Sequence, residues 1–202
     1  MQPNTETYDK ILWECFKLFM QKSYKEVTIP EIEKAIGMTR GAVFYYLKDK
    51  KELFKAVVDR YVLEKQNIHN KVKQDETIPS LLRFIIKYIE GINNTQQSFQ
   101  PLPKDEKALF SYVNLTNSAL IYYDGFKEKA IKTLRLETAL WEKIIKTAIE
   151  TGEIKENTNV TIMAKTFQNL FYGYSYVSGI KSDFDSTELM EMYINVYNLI
   201  KS

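Results

Sequence analysis

Apolar positions recur at three- and four-residue intervals along most of the chain. Between Tyr8 and about Lys22, Ile11, Leu12, Cys15, Phe16 and Phe19 fall on one stripe, which predicts an amphipathic first helix. In the following Val27-Thr28-Ile29-Pro30-Glu31-Ile32, Thr28 is placed to cap a second helix and Glu31 to reach back to it, while Val27 and Ile32 close a hydrophobic staple. Pro30 costs nothing there, because the first turn of a helix has no amide bond to lose. Gly37 suits the left-handed conformation that ends a helix, and Thr39 is set to cap the next after Met38 alone intervenes. Two short helices meeting at a tight turn are therefore expected across residues 28–47.

The second of them covers Arg40 to Leu47. Asp49 and Glu52 then form another capping box, and Leu53, Phe54, Val57, Val58, Tyr61 and Val62 carry a fourth helix to near His69. Gln74 to Ser80 and Asn93 to Asp105 collect Pro, Asn, Gln and Asp and read as connections, with helices expected at about 78–92, 104–123 and 126–151, the last closed by Gly152. Residues 159–180 put Met163, Phe167, Leu170, Phe171, Tyr174 and Val177 on one side. A final helix over 186–201, opened by Asp185 and Glu188, shows Leu189, Tyr193, Val196 and Ile200. Neither an internal repeat nor a low-complexity stretch interrupts this series of about nine helices.

Composition agrees. With 7 glycines and 5 prolines among 202 residues, the chain lacks the turn supply of a β protein, and an all-α fold is expected. That length allows a small domain joined to a larger one. The 28 Lys and Arg nearly balance the 26 Asp and Glu, so the net charge of +2 creates no general basic field. Any nucleic-acid contact must come from residues placed locally. Cys15, the one cysteine, cannot form an intrachain disulfide, and the polar opening lacks the layout of a secretion signal, so a cytoplasmic protein is expected. No apolar run approaches the roughly 20 residues that span a bilayer, so no membrane partner is expected.

Residues 28–47 also meet the demands of a helix-turn-helix: a short helix, a glycine-bearing turn, and a second helix with a free face. Val43 and Leu47 share the face that anchors this second helix, leaving Arg40, Gly41, Tyr45 and Tyr46 to point outward. At Gly41 the backbone can approach a phosphate closely, and tyrosine hydroxyls supply further phosphate contacts. Lys50 and Lys51 occupy the first turn of the next helix, where the macrodipole disfavours each cation by about 0.3–1 kcal/mol. A nearby DNA phosphate would account for them.

Ile11-Leu12, Leu18-Phe19, Tyr24, Thr28, Ile32, the run Gly37-Met38-Thr39-Arg40-Gly41-Ala42-Val43-Phe44-Tyr45-Tyr46-Leu47 and Lys50-Lys51-Glu52-Leu53 together resemble the N-terminal domain of the TetR family, in order and without gaps across about residues 8–62. The resemblance implies phosphate contacts from Thr28, Thr39, Tyr45, Tyr46 and Lys50, and base reading by Arg40, Gly41 and Ala42. Phe44 stands where the family commonly has a DNA-contacting tyrosine and lacks that hydroxyl. Leu47, Ser23 and Glu33 replace a usual phenylalanine, glycine and alanine. It further implies three parts: residues 1–50 as the helix-turn-helix domain on three helices, 51–70 as a connecting fourth helix, and 71–202 as a helical domain for ligand binding and dimerisation.

For that larger part the resemblance implies a homodimer paired through the last two helices, with Met163, Phe167, Leu170, Tyr174, Leu189, Tyr193, Val196 and Ile200 as interface candidates. Phe84, Tyr88, Phe110, Tyr112, Tyr122, Tyr123, Trp141, Phe171 and Tyr172 are the aromatics available to line an apolar cavity for a small-molecule effector. One histidine, one cysteine and no phosphate-binding glycine loop leave no catalytic or metal constellation, so neither an enzyme nor a cofactor is expected. The expected function is a regulator of transcription on double-stranded operator DNA, most simply a repressor released by its effector. The alternative is a helical small-molecule or partner-binding protein without useful DNA affinity.

Overall fold

The computed structural model describes residues 5–68, 72, 80–98, 108–181 and 183–202, with side chains from residue 112 onward in the segment that starts at 108. Its helices are α1 (Thr5–Gln21), α2 (Ile29–Ile36), α3 (Arg40–Tyr46), α4 (Lys50–Val58), α5 (Leu81–Gln97), α6 (Ala108–Tyr122), α7 (Phe126–Glu150), α8 (Val160–Lys181) and α9 (Ser186–Ile200). Beyond Val58, α4 continues through a π-helical turn, Asp59–Leu63, and a last short turn, Glu64–Gln66. Among the described residues an isolated bridge between Ile154 and Lys201 supplements these helices, and the fold is all-α. His69, the expected end of the fourth helix, and the Phe110 side chain lie outside the described residues. None of the helices described is long and apolar enough to cross a membrane.

Two compact units emerge: Met1–Glu64 with Phe110–Lys129, and Lys65–Leu109 with Ala130–Ser202. In the first, the α1 stripe Ile11, Leu12, Cys15, Phe16 and Phe19 is buried as its spacing requires. Phe16 stacks on Tyr61 at 4.4 Å, and Phe19 meets Phe54 edge-on at 5.0 Å. Burial pushes the Cys15 thiol up to about 12, so it is no nucleophile near neutral pH. The end of α6 is fastened to the same unit: Tyr122 stacks on Tyr24 at 4.8 Å, Lys51 pairs with Asp124 at 2.5 Å, and the Tyr123 hydroxyl donates to Asp59 at 2.8 Å. The π-helical turn lies here as well, its Tyr61 carbonyl accepting the Tyr112 hydroxyl at 3.1 Å.

The second unit packs the apolar faces of α5, α7, α8 and α9 around Trp141. Its rings form a continuous cluster, with Trp141 4.6 Å from Phe84, 5.2 Å from Tyr88 and 4.9 Å from Phe167. α5 begins at Ser80, whose hydroxyl accepts the Arg83 amide, and the Glu153 carboxylate takes the Leu81 and Leu82 amides at 2.8 and 3.0 Å. A negative group thus sits on the positive end of that helix. Contrary to the expected connection at Asn93, α5 runs on to Gln97, its last turn tied by the Thr95 hydroxyl to the Gly91 carbonyl. Gly152, at φ 73°, closes α7 as expected, with the Glu153 amide reaching back to the Ala148 carbonyl.

Candidate nucleic-acid interface

The interface is built from the start of α2 onward. Glu31 reaches back so that its carboxylate accepts both the Thr28 amide and the Thr28 hydroxyl, each at 2.8 Å, and it also pairs with Lys22. The Lys22 ammonium, followed by the two Thr28 donors, holds the Glu31 carboxyl down to about 2. A carboxyl lowered on folding stabilises above its unfolded value of 4.5 and loses that contribution as pH falls through the folded value. Acidification from pH 5 to pH 2 therefore loosens the start of α2, and Glu31→Gln shows a melting temperature that falls less over that range. An equal fall in both proteins contradicts this. Thr28 already donates its hydroxyl to Glu31, so the phosphate contact implied for it competes with that bond.

At the turn, Gly37 adopts φ 72°, and the amides of Gly37 and Met38 both close on the Glu33 carbonyl at 2.9 and 3.2 Å. This closure turns the chain within two residues and lets α3 start at once. Thr39 has the extended backbone of a cap, but its side chain makes no capping bond, a departure from the capping role its position suggested. The exposed hydroxyl therefore remains beside the first turn of α3.

α3 sorts its residues by face. Val43 is buried, while Arg40 and Gly41 are exposed and Tyr45 keeps 68% of its surface in solvent. Tyr46 is only half exposed, its ring 6.5 Å from Tyr8 and edge-on to Tyr45 at 5.5 Å. Of the tyrosine pair expected to point outward, one is thus the free member and the other leans on α1. Ala42 and Phe44 are half-buried as well. Phe44 compensates for its missing hydroxyl in another way, since the Arg40 guanidinium lies 5.9 Å from the centre of its ring.

Asp49 caps α4 by accepting the Glu52 amide at 2.9 Å, but the Glu52 carboxylate pairs with Lys55 at 2.8 Å, so only half of the expected capping box forms. Lys50 is half-buried with its ammonium 4.4 Å from the Tyr24 ring centre, and burial lowers its proton affinity. Tyr24 and Asp124 give Lys50 and Lys51 local partners that the dipole argument did not identify. Tyr8, Tyr24 and Asp124 are the residues that reasoning from the motif missed. Only Tyr24, which belongs to the quoted family pattern, carried a signal.

The remaining candidates separate by unit. Tyr112, Tyr122 and Tyr123 belong to the first, where they bond to α4 residues or stack on Tyr24. Phe84, Tyr88, Trp141, Phe171 and Tyr172 belong to the second. There Tyr88 and Tyr172 donate to the two oxygens of Glu137 at 2.6 and 2.9 Å, a fully buried carboxylate absent from the candidates drawn from sequence. Of the dimer candidates, Phe167, Leu189, Tyr193 and Ile200 are buried in the core of the unit itself, and Met163, Leu170, Tyr174 and Val196 pack against it. The Tyr174 hydroxyl lies on Glu188 at 2.7 Å and so ties α8 to the start of α9. The face of α8 left in solvent is another, running through Ile162, Thr166, Asn169, Gly173, Val177 and Ile180. Among the described residues no cluster of His, Cys, Asp or Glu could hold a metal ion.

Comparison with known proteins follows the same lines. The family described as bacterial regulatory proteins, tetR family, matches residues 11–57, the segment that holds α2, the turn and α3. The HTH-type transcriptional regulator AcrR of Shigella flexneri is 39% identical over 56 residues, 28% of this chain and 26% of that protein. IcaR of Staphylococcus aureus, named as the HTH-type negative transcriptional regulator of the biofilm operon icaADBC, is 25% identical over 112 residues, 54% of each chain. The chain thus spans about a quarter of the first relative's length and about half of the second's. A TetR-family regulator from Cytophaga hutchinsonii shares the fold, with a TM-score of 0.73 at 18% identity over 100% of this chain and 98% of the other. Residues 11–57 thus match the tetR family of bacterial regulatory proteins, and the chain as a whole shares its fold with a TetR-family regulator.

Proposed function

We propose that the chain is a non-catalytic, cytoplasmic regulator that grips operator DNA as a homodimer and releases it when a small molecule enters the second unit. The outward face of α3 carries this reading. Val43 is locked inside while Arg40, Gly41 and Tyr45 stand in solvent beside the Thr39 hydroxyl, an arrangement with which a helix enters the major groove. In this reading Arg40, Gly41 and Ala42 meet base edges, and Thr39, Tyr45, Tyr46 and Lys50 meet phosphates, with Thr28 joining them where Glu31 gives up its hydroxyl. Phe44 steadies Arg40 from behind. The likeness to IcaR, named as a negative regulator, favours repression.

Dimerisation is assigned to the solvent face of α8 and its continuation at Met192 and Leu199 of α9, because the apolar residues there lack burial within the chain. Gly173 lies midway along the α8 stripe with open space where a side chain would project, so a second helix can approach closely. An effector then shifts operator affinity only as far as it binds the two states of the dimer unequally.

A mobility-shift titration with duplex from around the protein's own gene, repeated across salt concentrations, tests the proposal. Specific binding that weakens steeply with salt is expected, and Lys50→Ala lessens the slope by about 1 per reading head. Absence of a specific complex at low salt rejects the reading.

A further inference from the structure

Tyr122 closes α6, and the two residues after it are each held by a different partner within the first unit. The Tyr123 hydroxyl donates to Asp59 at 2.8 Å, and the Asp124 carboxylate pairs with Lys51 at 2.5 Å. The Tyr122 ring is thereby set on Tyr24, its centre 4.8 Å away and its plane inclined by 27°. Phe54, buried on α4, also meets Tyr24 with ring centres 4.8 Å apart. Tyr24 is thus held by a core ring of α4 and by the end of α6. On this ring rests Lys50, its ammonium 4.4 Å from the centre.

Lys50 differs in this from the lysines around it. Lys22 pairs with Glu31, Lys51 with Asp124 and Lys55 with Glu52, so a DNA phosphate that meets any of the three competes with a carboxylate. Lys50 makes no ion pair among the described residues, and Glu31 acts on it only through its field. The ring offers the ammonium a face but no neutralising charge, so the whole charge is left for a phosphate. The ring also restricts the lysine stem. A lysine that swings freely loses rotamer freedom when it grips a phosphate, whereas one already leaning on a fixed ring has lost part of that freedom on folding.

We infer that Tyr122 is a positioning residue of the nucleic-acid interface: by fixing Tyr24 it holds the Lys50 ammonium ready for a DNA phosphate without touching DNA itself. The inference rests on the proposed regulator and deepens it, because it gives the end of α6, far from Lys50 in sequence, a share in operator affinity.

A double-mutant cycle on the full chain tests it, read by anisotropy of a labelled duplex from the protein's own upstream region. Tyr122→Ala is expected to weaken binding about fivefold per reading head in the parent. In Lys50→Ala, where no ammonium is left to hold, the same substitution costs less than about twofold. Tyr122→Phe keeps the ring and binds within about twofold of the parent. A merely structural role of Tyr122 predicts the same loss with and without Lys50, and that result overturns the inference. So does full affinity in Tyr122→Ala or in Lys50→Ala, or a loss in Tyr122→Phe as large as in Tyr122→Ala. Should Tyr122→Ala fail to fold, Tyr122→Leu, which keeps apolar bulk without a ring, takes its place in the cycle with the same expectations. Equal losses in a chain that binds its operator refute the positioning role alone, whereas a parent that forms no specific complex at low salt refutes the regulator reading and this inference with it.

Discussion

Val177→Glu combined with Ile180→Glu is expected to convert the dimer to a monomer and to reduce operator affinity at least about 100-fold. Both side chains are 47% and 61% exposed, on the α8 stripe that turns away from the unit's own core, so the charges do not disturb folding of the chain. In the proposed dimer they meet the same charges on the partner, and like charges brought together at an interface cost several kcal/mol. Loss of the dimer removes the second reading head, whose effective concentration beside a bound first head is in the millimolar range for a short tether. Sedimentation at micromolar concentration checks the assembly, and anisotropy of a labelled operator duplex checks affinity. A dimer that persists with both glutamates in place refutes the assignment of this face.

Trp141→Ala is expected to cost about 3–5 kcal/mol of stability, a large part of the 5–15 kcal/mol that holds a typical domain together. The indole is fully buried among Phe84, Tyr88, Phe167 and Tyr193, the last 6.0 Å away, and these rings come from α5, α8 and α9. Truncation leaves a cavity that four helices must share. Two of them are already fixed at one end, α5 by Glu153 and α9 by the backbone bond from Lys155 to Ile200 at 2.8 Å, so collapse into the void is limited. Urea unfolding followed by far-UV circular dichroism measures the loss, and a cost below about 1 kcal/mol contradicts this view of the core. Trp141→Phe removes the orphaned N–H together with some volume, two effects of opposite sign, and remains much closer to the parent.

Helix ends were the most legible feature of the sequence, because the residues that stop helices act locally. Gly37 and Gly152 both take positive φ where the pattern placed helix ends, and Asp49 and Asp185 both accept an amide from the following turn. The exposed face of α3 was legible for a similar reason: with Val43 fixed inward, a seven-residue helix has few choices for Arg40 and Tyr45. What depended on distant partners was hidden. Glu137 looks like any glutamate on a charged helix until Tyr88 and Tyr172, 49 and 35 residues away, converge on it. α8 is apolar on more than one side, and periodicity alone did not say which side its own core would claim, so Met163, Phe167, Leu170 and Tyr174 turn out to lie in or against that core. The π-helical turn at Asp59–Leu63 gave no warning either, since its pattern of Tyr61, Val62 and Leu63 suits an ordinary helix. Likewise Asp124 sits in a short turn, where nothing local points to Lys51.

In the proposed regulator, α3 reads DNA with its outer face. Anisotropy titrations at low salt, using one labelled duplex from the protein's own upstream region, compare the parent chain with Arg40→Ala/Tyr45→Ala. Both positions are exposed, so melting temperatures should coincide. A loss of affinity of at least about tenfold per head, with discrimination against unrelated duplex reduced, is the result expected from losing a base contact and a phosphate contact. Unchanged affinity and unchanged discrimination in the double variant would contradict the account.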